Sequence, residues 1–246
     1  MKNDSHFVII HILSLFIISK REETKLIDYL LIGPLGWKKN IWNKLINHLK
    51  NQTYDFMEFS NRNIKKINLP TLQQELIEKL NLLKQDGVVI TCSYGSTFFL
   101  HTLSFIRPTV KKVILIEGFE EIPDNSTIRT DLQCRKETFD SLTSYINIML
   151  TEEEKQDPIL YDIVTQTIHE DNGAFILDCT NAMMESYLSL LSGITQNTLI
   201  DNLKKQTFSY HIFSSTSLPN INYEKITEEE HLLMLSTPNK IIKLLK

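Results

Sequence analysis

The stretch Val88-Val89-Ile90-Thr91-Cys92-Ser93-Tyr94-Gly95-Ser96 is the point from which the fold can be read. Its first three residues are β-branched and apolar, as in a buried strand. Ser96–Ile106 reads as a helix stopped near Pro108, so a serine sits on the turn between strand and helix. A strand–turn–helix of this kind is the setting of a nucleophile elbow, which strains the serine backbone and needs small residues two before and two after it. Gly95 meets the second requirement, whereas Thr91 stands at the first, where glycine is usual.

Working outward, the same rhythm recurs. Leu26–Gly33 is an apolar run ending in Gly-Pro and predicts a strand. Asn40–Lys50 predicts a helix with Ile41, Trp42, Leu45, Ile46 and Leu49 on one face, and Tyr54–Phe59 a strand. Thr71–Lys84 predicts an amphipathic helix, Asp86-Gly87 a turn, Gly87–Cys92 the strand ahead of Ser93, and Val110–Glu117 the next one. Strands of about six residues alternating with helices indicate a parallel sheet of βαβ units, its faces covered by helices. The expected class is therefore α/β.

The rhythm stops between Ile122 and Gln206. That stretch offers no clear strand and carries helical candidates at Asp131–Leu150, Ile159–His169 and Thr180–Leu191. It is too long for a loop, and a helical lid inserted over the sheet edge explains it. Thr207–Phe213 then predicts a strand and Pro238–Lys246 a terminal helix. The expectation is one domain over residues 1–246, with a core of about 1–121 and 207–246 and a lid of about 122–206. At the N-terminus, Phe7–Ile18 is almost continuously apolar but shorter than the roughly 20 residues that span a bilayer. Its content suits a buried strand, with Lys20–Thr24 as the polar turn after it; a targeting segment is the other reading.

Bulk composition agrees with a globular enzyme. Of 246 residues, 42% are hydrophobic and 23% charged, and the net charge of −4 gives no basic face for nucleic acid. Cys92, Cys134 and Cys179 are too scattered for a disulfide framework or a metal-ligand pair, which points to a reducing, cytoplasmic setting.

A serine hydroxyl becomes a useful nucleophile only with a base, a carboxylate to orient that base, and donors for the oxyanion. In an open parallel sheet these come from loops at the carboxyl ends of strands. His231, in Glu-Glu-Glu-His-Leu-Leu-Met-Leu ahead of the terminal helix, is the base candidate. His211 falls inside a strand, His101 and His48 on helices and His169 in the lid, while His6 and His11 precede the sheet. The loop after the last strand, Ser214–Asn220, holds no acid. Glu117, at the end of the strand before it, is then the carboxylate, with Glu120, Glu121 and Asp124 as rivals. Tyr94 offers one oxyanion N–H. The second comes from Gly33-Pro34-Leu35-Gly36-Trp37, where Pro34 has none, so Leu35 leads over Gly36 and Trp37.

Together these segments resemble the α/β-hydrolase superfamily, and within it the thioesterases of nonribosomal peptide and polyketide synthesis. The resemblance rests on Gly33–Trp37 with the following Ile41-Trp42, on an acid at the strand after the elbow, and on His231-Leu232-Leu233-Met234-Leu235 before Pro238. It covers roughly residues 26–118 and 207–246. Thr91 in place of glycine and Glu117 in place of the usual Asp depart from the pattern. The resemblance implies a serine hydrolase using Ser93, His231 and Glu117 on an acyl thioester or ester, without metal or cofactor. The substrate would be a small acyl compound, free or presented on an acyl carrier protein or CoA. A carboxylesterase and a non-catalytic binding protein of the same fold are the alternatives.

Overall fold

The computed structural model describes residues 25–60 and 63–245. Phe7–Ile18, Lys20–Thr24, His6 and His11 lie outside them. In chain order the core opens with β1 (Ile27–Leu35), a 3-10 turn at Lys39–Trp42, α1 (Asn43–Ile46), β2 (Tyr54–Phe59), α2 (Leu69–Leu80), β3 (Leu83–Cys92), α3 (Tyr94–Thr102) and β4 (Lys112–Ile116). The segment after β4 holds α4 (Asn125–Gln133), β5 (Thr138–Phe139), α5 (Leu142–Met149), α6 (Pro158–Thr165), β6 (Ile168–Asp171), β7 (Ala174–Leu177), α7 (Asn181–Ser189) and α8 (Gln196–Lys204). The chain ends with β8 (Ser209–Ser214), β9 (Glu224–Lys225), α9 (Leu233–Ser236) and α10 (Pro238–Leu245).

Among the described residues the main sheet has six strands in the order β2-β1-β3-β4-β8-β9, and every pairing is parallel. Successive residues face opposite cores. Leu30, Ile32, Val89, Val113, Leu115 and Ile212 pack with α2, α3, α7 and α8 on one face. Leu31, Ile90, Cys92, Ile114, Ile116 and Phe213 pack with Ile41, Trp42, Leu45 and the C-terminal helices on the other. Burial on both faces is why these strands are apolar runs without polar alternation.

Several local expectations need correction. The Asn40–Lys50 helix is a 3-10 turn and one short α turn, although Ile41, Trp42, Leu45 and Leu49 are buried as its periodicity predicted. Asparagine at 40, 43, 47 and 51 weakens a longer helix by competing for backbone bonds. Helix α2 stops at Leu80 and β3 already starts at Leu83, so Asp86-Gly87 lies in a register shift of the strand and is not a separate turn. Residues 122–206 are not wholly helical, because β5, β7 and β6 form a three-stranded antiparallel sheet. Asn172 (φ 52°) and Gly173 (φ 80°) make the hairpin between β6 and β7. The helix expected over Asp131–Leu150 is split into α4 and α5 around β5, and that over Ile159–His169 runs into β6.

This inserted segment is tied to the core by specific bonds. Lys44 pairs with Asp157 and Lys38 with Asp178, each at 2.5 Å. The Tyr94 hydroxyl donates to the Tyr187 carbonyl at 2.7 Å, and Asn202 Nδ2 to the Leu100 carbonyl at 3.2 Å. Among the described residues no helix is long and apolar enough to cross a membrane.

Candidate active site

Ser93 directly follows β3 and precedes α3, with φ 53° and ψ −123°. A non-glycine residue in that region carries backbone strain, which persists only where the surroundings hold it. The holders are visible. Ser93 N–H donates to the Ile116 carbonyl at 2.8 Å, and the Ser93 carbonyl accepts from Ser96 N–H at 2.8 Å and Thr97 N–H at 3.1 Å. Gly95 is required for close approach, since a Cβ there would lie 2.5 Å from the Gly33 oxygen. Gly118 (φ 89°) is equally constrained, because its Cβ would lie 2.3 Å from the Ser93 oxygen.

Thr91 explains itself in this setting. It is fully buried, and its hydroxyl pairs with that of Ser96 at 2.7 Å. Ser96 in turn donates to the Ile116 carbonyl at 3.2 Å. A small serine at 96 leaves room for the threonine, and the paired hydroxyls remove the cost of burying either alone.

Glu117 also has positive φ (57°), and it is only 1% exposed. Its Oε1 accepts from Ser215 N–H at 2.8 Å, and the Ser214 hydroxyl approaches Oε2 at 3.4 Å. The acid-free loop after β8 thus supplies donors to the carboxylate at the end of β4. Of the rivals, Glu121 is exposed, Asp124 caps α4, and Glu120 is exposed although it lines the cavity mouth. Only Glu117 of the four is buried.

His231 follows the 3-10 turn Glu228–Glu230. Thr227 and Glu230 form a reciprocal cap, and Glu230 also accepts from Lys240 at 2.6 Å and Thr237 at 3.2 Å. The Lys240 hydrogen bond holds the Glu230 carboxyl below its ordinary range. These contacts fix the turn to α10. Beneath it, the Cys92 thiol donates to the His231 carbonyl at 3.6 Å; burial, and then the Glu117 charge, push that thiol well up, so it stays protonated. Of the other described histidines, His169 bonds Asp178 at 2.7 Å and His211 faces Glu224 at 3.3 Å, while burial lowers His101 on α3.

Ser93 and His231 line one cavity of about 320 Å³, together with Leu35, Trp37, Met184 and Leu188. Among the described residues no hydrogen bond joins the Ser93 hydroxyl, the His231 ring and the Glu117 carboxylate to one another. Tyr94 lies at the first position of α3, where its N–H has no carbonyl partner within the helix. Gly36 N–H is taken by the Phe59 carbonyl at 2.9 Å, which removes it as an oxyanion donor and leaves Leu35 and Trp37. Ser214, Ser215 and Glu230 join the site beyond the residues expected from the sequence. The hydroxyl-rich run Ser214-Ser215-Thr216-Ser217 was the available signal for the first two.

These features define an α/β-hydrolase fold, and solved structures of that fold superpose on the chain. The thioesterase domain from the curacin biosynthetic pathway matches with a TM-score of 0.61 at 13% identity, over 88% of this chain and 89% of that one. E-2-(acetamidomethylene)succinate hydrolase matches with a TM-score of 0.64 at 11% identity, over 88% and 89%. A lipase-esterase related protein from Clostridium acetobutylicum matches with a TM-score of 0.59 at 13% identity, over 91% and 95%. No protein-family model and no curated protein sequence matches the chain.

Proposed function

We propose that this protein is a serine hydrolase that cleaves an acyl thioester or ester through an acyl-enzyme intermediate. The observation that carries the reading is the strained Ser93 backbone at a strand–helix turn, on the same cavity as His231. In the proposed reaction Ser93 Oγ attacks the acyl carbonyl while His231 accepts its proton. The proton then passes to the leaving thiol or alcohol, and His231 next activates water to release the acid. Glu117, anchored by Ser215, orients the imidazole. Tyr94 and Leu35 N–H groups hold the oxyanion, which needs no metal or cofactor.

Residues 122–206 act as a lid in this reading, since Met184 and Leu188 of α7 close one side of the cavity. A thioesterase domain among the similar structures is consistent with a small acyl substrate, which in this reading is free or presented on a carrier protein or CoA. The free thiols Cys92, Cys134 and Cys179 fit a reducing, cytoplasmic location.

A fluorophosphonate probe tests the chemistry, because only an activated serine reacts with it. Labelling at Ser93, lost in Ser93→Ala together with turnover of acyl-CoA or aryl esters, is the expected result. An unlabelled Ser93 would leave a binding protein of hydrolase fold. A preference for free aryl esters over acyl thioesters of more than about a hundredfold, or about 2.7 kcal/mol in transition-state binding, would make it a carboxylesterase.

A further inference from the structure

A second cavity of about 390 Å³ adjoins the first and shares Leu35, Trp37 and Met184 with it. Much of its apolar wall comes from the inserted segment, with Phe139, Tyr145, Ile148, Met149 and Leu177. Two cations, Arg135 and Lys136, also line it. Arg135 is half-buried, and its Nη1 donates to the Cys179 carbonyl at 3.1 Å and to Asn181 Oδ1 at 2.8 Å. Neither acceptor is charged. Lys136 Nζ stands 5.0 Å from the centroid of the Phe139 ring. Among the described residues no carboxylate forms an ion pair with either cation.

The remaining polar groups of the wall are neutral or engaged. The Tyr145 and Thr167 hydroxyls bond each other at 2.5 Å. Burial pushes the Cys179 thiol up to about 11, so it adds no negative charge. Of the acids nearby, Asp178 is held by Lys38 and His169, and Glu137 accepts from Asn181 N–H. A largely apolar chamber lined by a half-buried Arg135 and an exposed Lys136, neither ion-paired, suits a ligand that is itself apolar with a charged end.

We propose that this chamber receives an apolar arm of the substrate ending in an anionic group, a carboxylate or a phosphate, which Arg135 and Lys136 bind. The inference rests on Ser93 as the reacting residue, because the shared wall then sets the arm beside the scissile bond.

Binding to Ser93→Ala protein tests this without turnover. Calorimetric titration would compare 4-phenylbutyrate, 4-phenylbutyl phosphate and the neutral 4-phenylbutanamide. At least one anion is expected to bind about tenfold or more tightly than the amide, the scale of a charge-assisted hydrogen bond. The tighter of the two anions identifies the terminal group that the chamber takes. The preference should fall to about threefold or less in both Arg135→Gln and Lys136→Met, each costing about one charged contact. Because Arg135 also holds Cys179 and Asn181, Lys136→Met reads the charge where Arg135→Gln fails to fold. Equal binding of all three compounds, no binding of any, or a preference untouched by Lys136→Met would overturn the proposal. Failure of the probe to label Ser93 would overturn the hydrolase reading instead, with the anion preference measured separately.

Discussion

Thr91 is the residue at which this chain departs most visibly from the elbow pattern, and its surroundings show a substitution with its own compensation. Thr91 is fully buried beside a small Ser96, and the two hydroxyls bond at 2.7 Å. Restoring glycine would therefore not improve the site. Thr91→Gly removes a buried hydrogen bond, opens a void and frees the strand backbone, so a loss of roughly 2–3 kcal/mol is expected. Urea unfolding measures it; a variant as stable as the parent would show that the Thr91–Ser96 pair contributes nothing. Glu117 teaches a related lesson. Its position at a strand end could be read from the sequence, since an apolar run followed by Glu-Gly places a carboxylate at the sheet's carboxyl edge. Its pairing with Ser214 and Ser215 could not, because that contact joins residues almost a hundred positions apart.

Among the elements, legibility follows burial. The central strands β1, β3 and β4 are covered on both faces, and that produces the apolar runs that mark them, whereas Tyr54–Phe59 (β2) shows the alternation of a half-buried strand. The inserted strands are short, and β6 is exposed along most of its length, so their pattern carries little of this signal. The Asn172-Gly173 pair was nevertheless a plain hairpin signal. Two glycines now separate strain from packing. Gly173 and Gly118 have similar positive φ, 80° and 89°, but a Cβ at 173 meets nothing within 4 Å while one at 118 would lie 2.3 Å from the Ser93 oxygen. Gly173→Ala is expected to cost only about 1 kcal/mol, the left-handed penalty by itself. Gly118→Ala adds overpacking against the elbow and should cost roughly 2–4 kcal/mol. Equal losses in thermal or urea unfolding would mean that the clash is relieved by a backbone shift at Ser93.

At the scale of the whole molecule, carboxylates join parts that are remote in sequence, and their protonation is expected to weaken those links in acid. Asp157 caps α6 and pairs with Lys44 of α1, linking the inserted segment to the core. The Lys44 hydrogen bond holds its carboxyl below the ordinary 3.8. For Asp28 burial acts to raise the pKa, but the bonds from Lys84 and Thr53 outweigh it and the net direction is again down. A carboxylate depressed in the folded state binds protons more readily when unfolded. Its contribution is therefore complete above the unfolded value and lost as pH falls through the folded one. Both links should hold at neutral pH and weaken below about pH 4. Lys44→Met isolates one of them. At pH 7 the variant should be less stable by about 0.5–1 kcal/mol, the range of a partly exposed pair. As pH drops through the region below 3.8 the difference should close, because Asp157 is then neutral in both proteins. Urea unfolding of parent and variant at pH 7 and at a series of values below 3.8 gives the comparison directly. A gap that stays constant across the series would assign the loss to the packed lysine stem, with the Asp157 charge contributing nothing to tying the inserted segment to the core.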